Sequence, residues 1–295
     1  MPWLQLKFGT EQAHVDAISD FLMELDALSL TYEDAEDRPI LEPLPGETPL
    51  WDSLVVTALF DANINTDEIL QAITSSAYAA HLQNPKFEAL EDKDWVREWM
   101  DSFKPIAFGE RLWIVPSWHQ PPDPDAVNIL LDPGLAFGTG THPTTALCLQ
   151  WLDGVSVTDK TVLDYGCGSG ILAIAATLLG ARATLAIDID PQALTATRDN
   201  MQRNNLATTR IEVGLPAAAD ERQFDLVIAN ILAGPLQQLA PAIAAKVAPG
   251  GQLVLSGLLA EQAEEISQVY AKWFNMQPAT QLEDWVRLEG SKKDV

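Results

Sequence analysis

A segment reading VLDYG runs straight into CGSGILAIAATLLG, which sets Gly166, Gly168 and Gly170 in the tight turn between a strand and its helix. Glycines at such a turn let the backbone come close to a ligand. The spacing is G-x-G-x-G and residue 171 is Ile, so the dinucleotide fingerprint G-x-G-x-x-G is not met and a nicotinamide dehydrogenase is disfavoured. The next strand, ATLAID, ends in Asp188, eighteen residues after Gly170, where a carboxylate can accept hydrogen bonds from ribose hydroxyls. An acid at that point suits an adenosine-bearing ligand and argues against a 2′-phosphate. Asp164, just before the glycines, can hold the loop or accept from a ligand ammonium. FDLVIAN places Asn230 at the carboxyl end of a further strand, where its amide can read a polar cofactor or an incoming amine, or cap a helix.

Upstream, residues 132–145 read DPGLAFGTGTHPTT, with Gly134, Gly138 and Gly140 and four threonines. Such a loop beside a nucleoside site can cradle a ligand and then start a helix at Thr144 or Thr145, and it is a candidate lid. His142 precedes a proline and is as readily structural as catalytic, so no base is assigned to it.

These groups need a scaffold, and the chain supplies two patterns. Residues 1–92 read as a strand over 3–8, a helix with Ile18, Phe21, Leu22 and Leu25 at i, i+3, i+4 and i+7, and strands over 27–32 and 54–60. A helix from Asp67 capped by Thr66 and a short strand over 87–90 complete the set. The order β-α-β-β-α-β predicts a small α+β, ferredoxin-like domain. A linker helix is expected over 93–105, with Trp95 and Trp99 on one face. From 106 to 295, strand-like runs over 111–118 and 127–131 are followed by apolar strands alternating with helices. Those strands, at 162–165, 184–187, 211–213, 224–229 and 252–256, predict a Rossmann-like, doubly wound α/β parallel sheet.

Composition narrows the function classes. The 295 residues are 47% hydrophobic and 20% charged, an ordinary globular balance, and no apolar run is long enough to span a bilayer. The opening MPWLQLKFGTEQ lacks the basic head and apolar stretch of a signal peptide, so a cytosolic protein is expected. Cys148 and Cys167 form no C-x-x-C pair, and neither a disulfide framework nor a metal site is suggested. The net charge of −24 repels phosphate backbones, which makes a nucleic-acid substrate unfavourable and a basic protein partner attractive. Residues 1–105 hold 6 Lys+Arg against 21 Asp+Glu, so the acid is concentrated in the first third.

VLDYGCGSG followed by AIDID and FDLVIAN resembles the class I S-adenosylmethionine-dependent methyltransferases. With DPGLAFGTGTHPTT, the WxxxW linker and a small N-terminal domain, the whole chain is similar to the PrmA family, methyltransferases of the eleventh protein of the large ribosomal subunit. The resemblance implies S-adenosylmethionine bound through Thr145, Gly166, Asp188 and Asn230, with Gly168 and Asp164 in the same turn. It further implies substrate recognition by the first domain and methylation of lysine ε-amines and the α-amine of a basic ribosomal protein, free or on the ribosome. Amide-methylating relatives carry N-P-P-Y where this chain has Asn230, Ile231 and Leu232, so amine methylation is favoured. A sulfonium-activated methyl group needs alignment and exclusion of water rather than a metal, a covalent nucleophile or a dedicated general base. A monomer is expected. The alternatives are a methyltransferase acting on a small molecule or nucleic acid, and a non-catalytic nucleoside-binding module.

Overall fold

The computed structural model describes residues 3–36, 40, 48–90, 103–132 and 142–294. The chain divides into two compact units, Met1–Met100 and Asp101–Val295. The expected linker helix falls almost wholly, and the glycine-rich stretch at 133–141 wholly, outside the described residues.

In the first unit, β1 (Trp3–Glu11), α1 (Gln12–Glu24), β2 (Ser29–Asp34), β3 (Ser53–Asp61), α2 (Thr66–Ser75) and β4 (Gln83–Leu90) follow in that order. Their sheet is antiparallel throughout, ordered β2-β3-β1-β4, the split β-α-β arrangement of ferredoxin-like domains. Strict alternation makes it possible: Leu54, Val56, Ala58 and Phe60 of β3 all point to one face and are fully buried. Val15, Ile18 and Leu22 of α1 close over them. Phe21 and Leu25, also expected on that face, pack only partly buried at its margin. The cap of α2 differs from expectation. Asn65, not Thr66, accepts from the backbone N–H groups of Asp67 and Glu68 at 3.1 and 3.4 Å, because Asn65 is the residue whose backbone is still extended and Thr66 is already the first of the helix.

The second unit opens with β5 (Ile106–Phe108), β6 (Leu112–Val115) and β7 (Val127–Leu130), a small sheet in which β6 and β7 are parallel. The expected strand over 111–118 stops at Val115 because Pro116 follows. Helix α3 (Pro143–Gly154) leads into β8 (Thr161–Tyr165), α4 (Ile171–Leu178), β9 (Ala183–Ile187), α5 (Pro191–Arg203), β10 (Ile211–Gly214) and β11 (Phe224–Asn230). Then come α6 (Ala233–Gln238), α7 (Ala240–Lys246), β12 (Val247–Leu259), α8 (Ala263–Tyr270), β13 (Phe274–Met276), β14 (Thr280–Leu282) and β15 (Trp285–Lys292).

The main sheet is ordered β10-β9-β8-β11-β12-β15-β13, with β14 also paired to β15. Five strands, β8 to β12, are the parallel ones the apolar runs predict, and their near-continuous burial reflects cover on both faces. The last three were not assigned from sequence. β15 runs antiparallel to β12, and β13 and β14 are only three residues each, too short to show a period. No helix among the described residues is long and apolar enough to cross a membrane.

Replacing Asn65 by Ala should lower stability to urea by about 1 kcal/mol, whereas Thr66→Ala should change it by less than about 0.5 kcal/mol, read by circular dichroism.

Candidate functional site

In the main sheet the chain steps from β8 outward to β9 on one side and to β11 on the other, and at such a switch point a crevice opens beyond the carboxyl ends of the strands. All six singled-out residues lie there. Asp164 is in β8, Gly166 and Gly168 in the turn before α4, Asp188 just past β9, Asn230 at the end of β11, and Thr145 in the first turn of α3.

The glycine turn has a definite conformation. Gly166, Gly168 and Gly170 all take positive φ, at 80°, 53° and 78°. At Gly166 the requirement is double, since a Cβ there would also overlap the side chain of Ile231. Gly168 N–H donates to Asp188 Oδ2 at 3.0 Å, while Asp188 Oδ1 accepts from Asp190 N–H at 3.0 Å. Each carboxylate oxygen keeps a further lone pair for a ribose hydroxyl. Across the crevice Asn230 Nδ2 donates to Thr145 Oγ1 at 3.4 Å, which ties β11 to the buried start of α3.

Of the buried side-chain oxygens without a partner among the described residues, two belong to this crevice: Asp164 Oδ1 and Asn230 Oδ1. Buried polar atoms are almost always satisfied, so an orphan acceptor on each side of the glycine turn marks where a ligand donor belongs. Asp164 is 1% exposed, and its other oxygen accepts from Ala173 N–H at 3.0 Å. Burial pushes its carboxyl up to about 7, the charge of Asp188 adds to the rise, and the Ala173 N–H opposes it. Near neutrality this acid is poised to ionise when a cation arrives.

Sequence reasoning missed several participants. Ile189 is 82% exposed directly after Asp188, and Leu215 is 53% exposed just past the neighbouring strand β10. Both are exposed apolar side chains just past the carboxyl ends of the neighbouring strands β9 and β10. Ile189 was readable as an isoleucine that continues past the end of its strand. Thr197 and Asn200 of α5 hold the turn from below, donating to the carbonyls of Gly168 at 3.0 Å and Ser169 at 2.9 Å. Their signal was two polar residues three apart on the face of α5 that must be inside.

His142 resolves as the N-cap of α3. Its Nδ1 accepts from Thr144 N–H at 3.3 Å and lies 2.8 Å from Thr144 Oγ1, and its ring meets Trp285 edge-on at 4.7 Å. Burial lowers its pKa, with Glu283 opposing, so the ring is neutral at pH 7. The helix begins at Pro143, one residue before the expected start. Asn230 caps no helix; Leu232 holds that position for α6. Burial pushes the thiols of Cys148 and Cys167 up to about 12, which keeps both protonated.

A doubly wound sheet with a glycine turn after its central strand and an acid at the tip of the next has the architecture of a class I methyltransferase domain. Residues 2–293 match the family model described as ribosomal protein L11 methyltransferase (PrmA). A curated protein of Shewanella sediminis with the name ribosomal protein L11 methyltransferase is 56% identical over 99% of this chain and 100% of its own length. Its counterpart in Shewanella amazonensis is 54% identical over 100% of both. A solved structure from Lactobacillus delbrueckii subsp. bulgaricus, titled ribosomal protein L11 methylase, is 37% identical, covers 65% of this chain and 100% of that one, and superposes with a TM-score of 0.58. The chain belongs to the ribosomal protein L11 methyltransferase family, and with it to the S-adenosylmethionine-dependent methyltransferases.

The folded protein holds the Asp164 proton more tightly than the unfolded chain does, so this group's contribution to stability is greatest at low pH and declines as pH climbs from about 4 toward about 7. Asp164→Asn removes the ionisation and keeps an acceptor for Ala173. Its melting temperature relative to the parent should therefore rise between about pH 5 and about pH 8 in thermal scans.

Proposed function

We propose that this protein transfers methyl groups from S-adenosylmethionine to amino groups of the eleventh protein of the large ribosomal subunit, lysine ε-amines and the α-amine among them. The observation that carries the substrate is identity above one half, over the full length, to relatives named for it.

The site's own groups fit the cofactor. Asp188 would hold the ribose hydroxyls, Ile189 and Leu215 would offer apolar surface to the base, and the open backbone of Gly166 and Gly168 would let the ligand approach the turn. Asp164 Oδ1 would accept from the ammonium of the cofactor's amino-acid end, and Asn230 Oδ1, steadied through Thr145, would offer a second acceptor. When bound, S-adenosylmethionine supplies a methyl group already activated by its sulfonium.

What remains for the protein is to present a neutral amine in line and to exclude water. A lysine amine starts near pKa 10.4, and desolvation beside a positive sulfonium lowers that value, which removes the need for a dedicated base. With Nδ1 of His142 committed to capping α3, the same reading leaves deprotonation to the environment and solvent.

The first unit serves as the substrate-recognition domain, in the division 1–92, linker 93–105 and catalytic domain 106–295. Its support is the concentration of acid in the first third of the chain, suited to a basic protein. The reading takes the enzyme as a cytosolic monomer, acting on its substrate free or on the ribosome.

Mass spectrometry of the purified ribosomal protein after incubation with enzyme and S-adenosylmethionine should show gains in steps of about 14 Da, one CH₂ each, on amines. Asp188→Ala should abolish them at limiting cofactor; no gain despite demonstrable cofactor binding would reject the substrate. If acid in the first unit steers the substrate, raising salt from about 0.05 M to about 0.5 M should increase KM for the ribosomal protein several-fold and leave the Kd for cofactor nearly unchanged.

A further inference from the structure

Helix α5 carries polar residues on a face that packing alone would make apolar. Thr197, Asn200 and Asn204 lie at i, i+3 and i+7, with the first two buried, while Ala193, Leu194 and Met201 supply the ordinary core contacts. Burying an amide is unfavourable unless its groups are bonded, and here each of the three residues bonds to backbone outside the helix. At one end Thr197 Oγ1 donates to the carbonyl of Gly168 and Asn200 Nδ2 to that of Ser169. The helix lies close beneath the turn, since a Cβ on Gly170 would come within 2.6 Å of Thr197 Cγ2.

At the other end Asn204, just past the last residue of α5, grips a different sheet. Its Oδ1 accepts from Leu130 N–H at 2.8 Å, and its Nδ2 donates to the Leu130 carbonyl at 2.8 Å and to the Asn200 carbonyl at 2.8 Å. One side chain thus pairs with the end of β7 as a neighbouring strand would. Beside it, Arg203 Nη1 lies 3.7 Å from Asp132 Oδ2, and Asp132 Oδ1 accepts from Ser117 N–H at 2.7 Å. Arg203 Nη1 also donates to Asn200 Oδ1 at 3.3 Å, which closes the chain of contacts along the helix.

We propose that Asn200 and Asn204 are positioning residues for cofactor binding, with α5 as a rigid strut that fixes the glycine turn relative to the end of β7. The inference rests on the reading of this crevice as the S-adenosylmethionine site. Two successive carbonyls turned down toward α5 leave the turn's upper surface to the ligand, and Gly168 N–H remains aimed at Asp188. Neither asparagine touches the ligand in this account. Both act through the backbone they hold.

The test is isothermal titration of S-adenosylmethionine into the full chain and its variants, with kcat and KM for cofactor measured on the ribosomal protein. Asn200→Ala and Asn204→Ala remove the bonds to the Ser169 and Leu130 carbonyls and should each weaken cofactor binding about tenfold, with kcat at saturating cofactor within about twofold of the parent. The double variant should lose less than the product of the two, because one strut transmits both effects. Asn204→Asp keeps the acceptor for Leu130 N–H, loses the donor to its carbonyl, and serves as the milder probe, expected to show part of the loss. Val15→Ala, in the core of the first unit, gives the benchmark for simple loss of stability. Unchanged cofactor Kd in the asparagine variants, with melting temperatures lowered as far as that of Val15→Ala, would overturn the proposal. A parent protein that does not bind S-adenosylmethionine would instead remove the reading of the crevice on which it rests.

Discussion

Gly168 is held from two directions at once: its N–H by the carboxylate of Asp188 and its carbonyl by the hydroxyl of Thr197, each at 3.0 Å. A turn that must leave one surface open to a ligand cannot satisfy its own backbone by regular pairing, so side chains from other elements have to do it. Here they come from the tip of β9 and the buried face of α5. Asp188, the turn and the helix therefore form a single mechanical unit, in which the carboxylate past the tip of β9 also fixes the backbone of the turn.

The remainder of the crevice follows from that unit. β8 delivers the turn, and its pairing with β11 brings Asn230 level with the far side, where the bond to Thr145 recruits the start of α3. α3 is in turn anchored along its length, because Arg287 of β15 donates to the Leu147 carbonyl at 3.1 Å and to Thr280 Oγ1 at 3.0 Å. The antiparallel strands at the end of the chain thereby serve the site, though none of them carries a residue of the cofactor motif. Two buried oxygens of this crevice, on Asp164 and Asn230, have no partner among the described residues.

Electrostatics on two scales suits amine chemistry. Locally, burial pushes the Asp164 carboxyl up to about 7, so a nearby cation would favour its ionised form. Globally, a net charge of −24 favours encounter with a basic partner and disfavours nucleic acid. The thiols of Cys148 and Cys167, adjacent to these elements, stay protonated by burial and act as small apolar side chains.

Much of this was legible in the amino-acid sequence, for local reasons. Alternation in Leu54 to Phe60, apolar runs bounded by turns, glycines between a strand and a helix and an acid at a strand tip are patterns that neighbouring residues impose on one another, and they yielded the β-α-β-β-α-β unit, the parallel strands and the glycine turn between β8 and α4. What the tertiary structure alone decided depends on residues far apart in the chain. Which residue caps α2 or α3 depends on backbone geometry a fraction of a turn away; Ile189 and Leu215 come to follow neighbouring strands only when β9 and β10 lie side by side; and β15 is a strand because β12 offers it an edge, as β15 then does for β13 and β14. Asn204 shows the division most plainly. By sequence it is a polar residue at a helix end, and only folding across 74 positions gives it Leu130 to hold, because a hydrogen bond is specified by where its partner stands and not by the residue type that makes it.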